Sequence, residues 1–161
     1  LQAFCVAHGT MLRHVKPHGN LYNTAVENES IAQAIAEAVV SMSPDLIYVA
    51  LAGVGGETVS RIGKELGLKV AYEAFADRAY TPEGTLVSRQ QPGAVIKNRE
   101  KVAERVLMMA KEGKVIAVDG TEIPLAAQTI CVHGDTPGAV DLIKAIRARL
   151  EAEGIEVQPM G

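Results

Sequence analysis

Cysteine is scarce in this chain of 161 residues: it has only Cys5 and Cys131. They stand far apart and match no metal-ligand spacing, so they read as two reduced thiols of a cytoplasmic protein. An apolar run of about 18 residues is also missing, and with it any expected membrane-spanning helix. Neither sign of charge dominates. Sixteen Lys and Arg against 19 Asp and Glu leave a formal charge of −3, and nothing draws such a chain to nucleic acid or an anionic membrane. No repeat, low-complexity segment or linker breaks it up. No signal peptide is visible, although the chain opens at Leu1 inside a helical pattern.

What is present is enough for one core, since 48% of the residues are hydrophobic, and the length suits a single domain. Residues 1–9 read as the tail of a helix closed by Gly9, because glycine takes the left-handed cap cheaply. Residues 11–17 read as a strand. A helical pattern follows, strongest over 30–42, with Ile31, Ile35 and Val39 on one face. Residues 46–52 form a short two-sided apolar run, as in a buried parallel strand. Gly53–Gly56 turns the chain into a helix over 57–66, and 68–72 is the next strand.

The stretch 75–95 is irregular and long enough to suggest function or disorder. After it come a helix over 98–113 opened by an Asn98 cap and a hairpin over 114–125 turning at Asp119-Gly120. A strand over 128–132 follows, then a long helix over 136–154 with Pro137 in its first turn, and a last strand over 155–157. Strand and helix alternate, so the fold class is α/β with mainly parallel strands. An open doubly wound sheet and a barrel both fit.

Ligands of such folds sit at strand C-terminal ends, which singles out three places. In His14-Val-Lys16-Pro-His18, side-chain alternation puts His14, Lys16 and His18 on one face if the strand persists. That suggests a ligand or metal site, or else a strand end fraying into solvent. In 128–135, Ile130 and Val132 fall on one face, and Cys131, His133 and Asp135 on the other. An imidazole and a carboxylate two residues apart can orient each other, bind a metal or move protons; Asp135 or Thr136 can equally just cap the next helix. The third place is the loop after residue 72, with Glu73, Asp77, Arg78, Tyr80 and Arg89. Arg78 and Arg89 suit a carboxylate or phosphate, and Asp77 suits a base or a partner of Arg78. The alternative is a solvated loop with weak ion pairs.

Gly53-Val-Gly55-Gly56 precedes a helix but has Thr58 where a dinucleotide fingerprint needs its third glycine, and no Walker lysine follows. It reads as a tight turn. Arg99, Lys101 and Arg105 read as solvated helix surface, and Met108-Met109 as core filler.

Three blocks in order resemble the family of 5-oxoprolinase A subunits, also called LamB/YcsF. They are Val15-Lys-Pro-His-Gly-Asn-Leu-Tyr-Asn23; Phe75-Ala-Asp-Arg-Ala-Tyr80 with Gly84-Thr-Leu-Val87, Arg89 and Gly93-Ala-Val-Ile96; and Ile130-Cys-Val-His-Gly-Asp-Thr-Pro-Gly138. Asn20 departs from the small residue usual in the family. The resemblance implies a distorted seven-stranded (β/α) barrel related to sugar deacetylases, of which this chain supplies the C-terminal part. The missing N-terminal portion would hold further acidic and histidine motifs.

The resemblance also implies ATP-dependent hydrolysis of 5-oxoproline to glutamate, together with the 5-oxoprolinase subunits B and C, and leaves room for a homo-oligomer. The partners would use ATP to phosphorylate the lactam oxygen. His133 or His18 would then act as base, oriented by Asp135, and Lys16 or Arg78 would meet developing negative charge or the substrate carboxylate. Asp77, Arg78, Arg89 and Glu73 would bind substrate. A divalent metal, if used, would take His18 and His133. Two rivals are a metal-dependent amide or sugar deacetylase and a non-catalytic binding subunit.

Overall fold

The structure is a computed structural model and describes residues 1–135 and 138–160. The chain divides into two compact units. The first comprises Leu1–Leu51 and Gly56–Ala71 with Met160, and the second Ala52–Gly55 and Tyr72–Pro159.

The first unit opens with helix α1 (Gln2–Ala7), followed by strand β1 (His14–Val15) and helices α2 (Asn20–Glu27) and α3 (Glu29–Met42). Strand β2 (Ile47–Leu51), helix α4 (Glu57–Glu65) and the start of strand β3 (Lys69–Phe75) complete it. β1 lies parallel to β2 with His14 opposite Ile47, and the strand order is β1-β2-β3. Asn28 caps α3 by accepting from the Ile31 N–H at 3.1 Å.

The core of this unit joins Ala32, Ala36 and Val39 of α3 to Tyr48, Ala50, Val59 and Ile62. Alanines form the deepest part of the α3 face, with Ile31 and Ile35 flanking it half-buried. Small side chains let the helix approach closely. None of the residues of α1 is buried, and Phe4 and Val6 are largely exposed.

The first strand is shorter than its sequence suggests. Pro17 has no N–H to donate, and Gly19 takes a positive φ of 60°. The chain therefore leaves the extended path after Val15, and alternation no longer places His14, Lys16 and His18 on one face.

The glycine turn has a steric explanation. A Cβ on Gly56 would run into the Leu51 carbonyl within the first unit, and one on Gly55 into the Gly84 carbonyl within the second. The glycines are needed for backbone packing around the 3₁₀ turn Val54–Gly56.

The second unit contains the end of β3, helix α5 (Arg99–Glu112), the antiparallel pair β4 (Lys114–Ile116) and β5 (Glu122–Pro124), strand β6 (Thr129–Cys131) and helix α6 (Ala139–Ala152). Asn98 caps α5 by accepting from the Lys101 N–H at 2.8 Å, and Gly113 ends it in the left-handed region. Ala76, Val102, Val106, Leu142, Ile146 and Leu150 form the core, with Ile130 and Val132 packed on it as alternation predicts.

The expected last strand at 155–157 is not there. The Ile155 N–H instead donates to the Leu150 carbonyl, and the Gly154 N–H to Glu151. With Gly154 at φ 73°, this closes α6 and folds Ile155 back onto the core. Thr136 and Pro137, expected to open that helix, lie outside the described residues; its N-cap is Gly138, with no side-chain cap bond.

The long stretch after β3 is ordered by local pairing. Arg78 bridges Val95, and Tyr80 bridges Leu86. The Ala79 N–H donates to Ala94 and the Ile96 N–H to Asp77. Ala79, Val87 and Ala94 pack together beneath it.

Candidate functional site

The second unit builds its polar site by extending a strand register. β3 and β6 run parallel, with Glu73 opposite Thr129, Ala74 opposite Ile130 and Phe75 opposite Cys131. The Ala76 N–H donates to the Cys131 carbonyl, which carries the alignment past the last pair. Two residues further along each chain, Asp77 meets His133. The even-numbered Ala74 and Ala76 are buried, and Ala76 joins the helix-packed core, with Ile130 and Val132 packed half-buried against it. The odd-numbered side chains carry the chemistry.

His133 Nδ1 stands 2.9 Å and 3.1 Å from the two Asp77 carboxylate oxygens. A carboxylate offers lone pairs, so the nitrogen facing it is the donor, and in a neutral imidazole Nε2 then keeps its own lone pair. The Asp77 side chain is 1% exposed and that of His133 20%. The histidine ring stacks on Phe75, with centroids 5.7 Å apart and planes 20° from parallel. One hydrogen-bonded edge and one stacked face fix the imidazole's orientation. The arrangement suits proton transfer: a buried acceptor holds the tautomer, and a partly exposed ring presents the other nitrogen.

The carboxylate that meets His133 is therefore Asp77. Asp135, expected in that role, ion-pairs with Arg89 at 3.5 Å, with both side chains about half or more exposed. Neighbouring strand ends meet across space, whereas residues two apart on one chain share a side without touching. Among the described residues the N-cap of α6 is Gly138, not Asp135.

Arg78 is 4% exposed. Its Nη2 donates to the Val87 carbonyl at 2.6 Å, and its Nε has no hydrogen-bond partner among the described residues. Burial, and after it the nearby Arg89 charge, pull its pKa down. One arm of the fork is thus held by backbone. Glu73 lies within β3, not in the loop, because the strand runs on to Phe75; it is buried.

Lys16 and His18 belong to the first unit. Lys16 is half-buried, with its Nζ 5.6 Å from the centroid of the Tyr22 ring, and His18 is exposed.

Two residues that sequence reasoning underrated support the site. Tyr80 is fully buried, and its Oη accepts from the Phe75 N–H at 2.9 Å; burial pushes its phenol up to about 12. Arg105, expected on the solvated surface with Arg99 and Lys101, reaches inward to donate to the Arg78 carbonyl at 2.8 Å. Helical spacing could have indicated this, since Arg105 falls between the buried Val102 and Val106 on α5.

The described residues supply Asp77 and His133 as a pair but no group of three metal-ligating side chains, fewer than the three protein ligands usual at a catalytic zinc.

The chain matches the LamB/YcsF family over residues 1–161. It is 52% identical over its whole length to a 5-oxoprolinase A subunit of Natranaerobius thermophilus and, likewise at 52%, to one of Pyrococcus furiosus. It spans 62% of each of those relatives. The crystal structure of the lactam utilization protein from Thermus thermophilus superimposes with a TM-score of 0.88 at 42% identity, covering 98% of this chain and 62% of that one. A full-length family match, half the residues shared with relatives and a closely superimposing α/β structure agree: the chain belongs to the LamB/YcsF family.

Proposed function

We propose that this chain takes part in the hydrolytic opening of the lactam ring of 5-oxoproline to glutamate, driven by ATP and carried out with other subunits, B and C. The names of its relatives, which call them 5-oxoprolinase A subunits and a lactam utilization protein, support this reading. The observation that carries it on this chain is the Asp77–His133 pair.

A lactam carbonyl is a poor electrophile, and ATP-dependent activation of its oxygen is assigned to the partner subunits. His133 Nε2 would take a proton from the attacking water, while Asp77 holds the opposite nitrogen and stabilises the imidazolium that forms. Arg89, about half exposed, would meet the substrate carboxylate. Lys16 and His18 remain proposed contributors from the first unit. On the same reading, the parallel strands belong to a distorted seven-stranded barrel of the sugar-deacetylase kind.

The test is glutamate formation from labelled 5-oxoproline with ATP, with and without the partner subunits. It uses a protein of the relatives' length that carries these residues. His133→Ala should lower turnover by about 10²–10⁴ per folded molecule, and His8→Ala, at the exposed end of α1, should leave it unchanged. Turnover near the parent level for His133→Ala would remove His133 from the mechanism.

A further inference from the structure

We infer that Arg105, on α5, is a positioning residue for the Asp77–His133 pair, acting through the backbone on either side of Asp77. The inference rests on the catalytic reading of that pair.

The guanidinium of Arg105 makes three contacts within the second unit. Nη2 donates to the carbonyl of Arg78, the residue directly after Asp77, at 2.8 Å. Nη1 donates to the Ile116 carbonyl of β4 at 3.3 Å. The cation lies 5.5 Å from the centroid of the Tyr80 ring, and the Tyr80 hydroxyl in turn accepts from the N–H of Phe75, two residues before Asp77. Phe75 is also the ring on which His133 stacks. One side chain thus braces the Asp77 turn from behind, directly on one flank and through Tyr80 on the other.

The chemistry of the contacts argues for positioning over simple cohesion. Arg61, Arg89, Arg99 and Arg149 each form an ion pair at the surface. Arg105 has no such partner among the described residues; its Nη1 and Nη2 go to two carbonyls, and its buried Nε has no hydrogen-bond partner among those residues. Burial pulls its pKa down, so keeping the charge there is costly. An apolar side chain could join helix to hairpin at less cost. What it could not do is hold a carbonyl in a set direction while covering the tyrosine ring. A rigid fork does both.

The test uses Arg105→Met, Arg105→Lys and, as an independent route to the same turn, Tyr80→Phe, in the protein that carries these residues at the relatives' length. The first readout is nitrogen-15 NMR of the His133 ring. The unsubstituted protein should show the Nδ1-protonated tautomer, and Arg105→Met a mixed or shifted signal. Arg105→Lys, which keeps the cation without the fork, should fall between them, and Tyr80→Phe should move the signal the same way as Arg105→Met.

The second readout is steady-state kinetics. Displaced catalytic groups cost about 10–100-fold in kcat, with KM changed by less than about threefold. A merely structural Arg105 would lower the melting temperature and leave the His133 signal of the folded variants unchanged. An unchanged signal in the most drastic variant that folds overturns the inference. The ring signal does not depend on turnover, so an inactive parent protein would count against the proposed reaction and leave this reading to be judged by NMR.

Discussion

Asp77 and His133 are 56 positions apart in the chain, yet a carboxylate oxygen of one lies 2.9 Å from the Nδ1 of the other. The contact joins the C-terminal extensions of β3 and β6. It gives the imidazole a buried acceptor, which Asp135 does not.

The two aspartates should therefore respond differently to the same change. Asp77→Asn keeps the size but replaces the charged acceptor with an amide, and turnover should fall by about 10²–10⁴. Asp135→Asn only loosens an exposed pair with Arg89, so stability should stay within about 0.5 kcal/mol of the parent and turnover should change little. Parallel assays of both variants, normalised to folded protein, provide the check. The reverse order of effects would make Asp135 the residue that orients His133.

Gly55→Ala and Gly56→Ala should each destabilise the fold by about 1–3 kcal/mol or more, because the new methyl meets backbone carbonyls that cannot swing aside. Gly134→Ala is the control. It has nothing within 4 Å of the added Cβ and a φ outside the positive range, so its effect should stay within about 0.5 kcal/mol. Urea unfolding of the three variants decides the matter. Parent-like stability for Gly56→Ala would contradict the steric account of this turn.

Alkaline pH should weaken the fold through Tyr80. Its phenol ionises near 10 when unfolded and is pushed up to about 12 by burial. Between those values the unfolded chain loses the proton and the folded chain keeps it. The contribution is thus intact below pH 10 and is lost as pH rises to 12, up to about 3 kcal/mol for a two-unit separation. Urea titrations at pH 8, 10 and 11 should show a steeper decline for the parent than for Tyr80→Phe. Equal slopes would mean that Tyr80 is not the titrating group.

Local patterns were legible in the sequence. Asn98 and Gly113 bracket α5 because a cap needs only its own turn. The Asp119-Gly120 hairpin and the core-packed side of β6 follow from turn chemistry and alternation. The candidate site is legible by membership, since strand ends and loop length single out Asp77, Arg78 and His133. Their pairing is not, because the register between parallel strands depends on packing between distant segments. The role of Arg105 stayed hidden for a related reason: its partners are carbonyls, which no side-chain pattern reports.

A parallel pair has no tight hairpin turn to set its alignment. A slip of β6 by one residue relative to β3 would bring Val132 or Gly134 beside Asp77 and send His133 to the helix-packed side. The register consequently has no half-way setting: β6 is either in frame, with His133 within reach of Asp77, or out of frame, with the two apart.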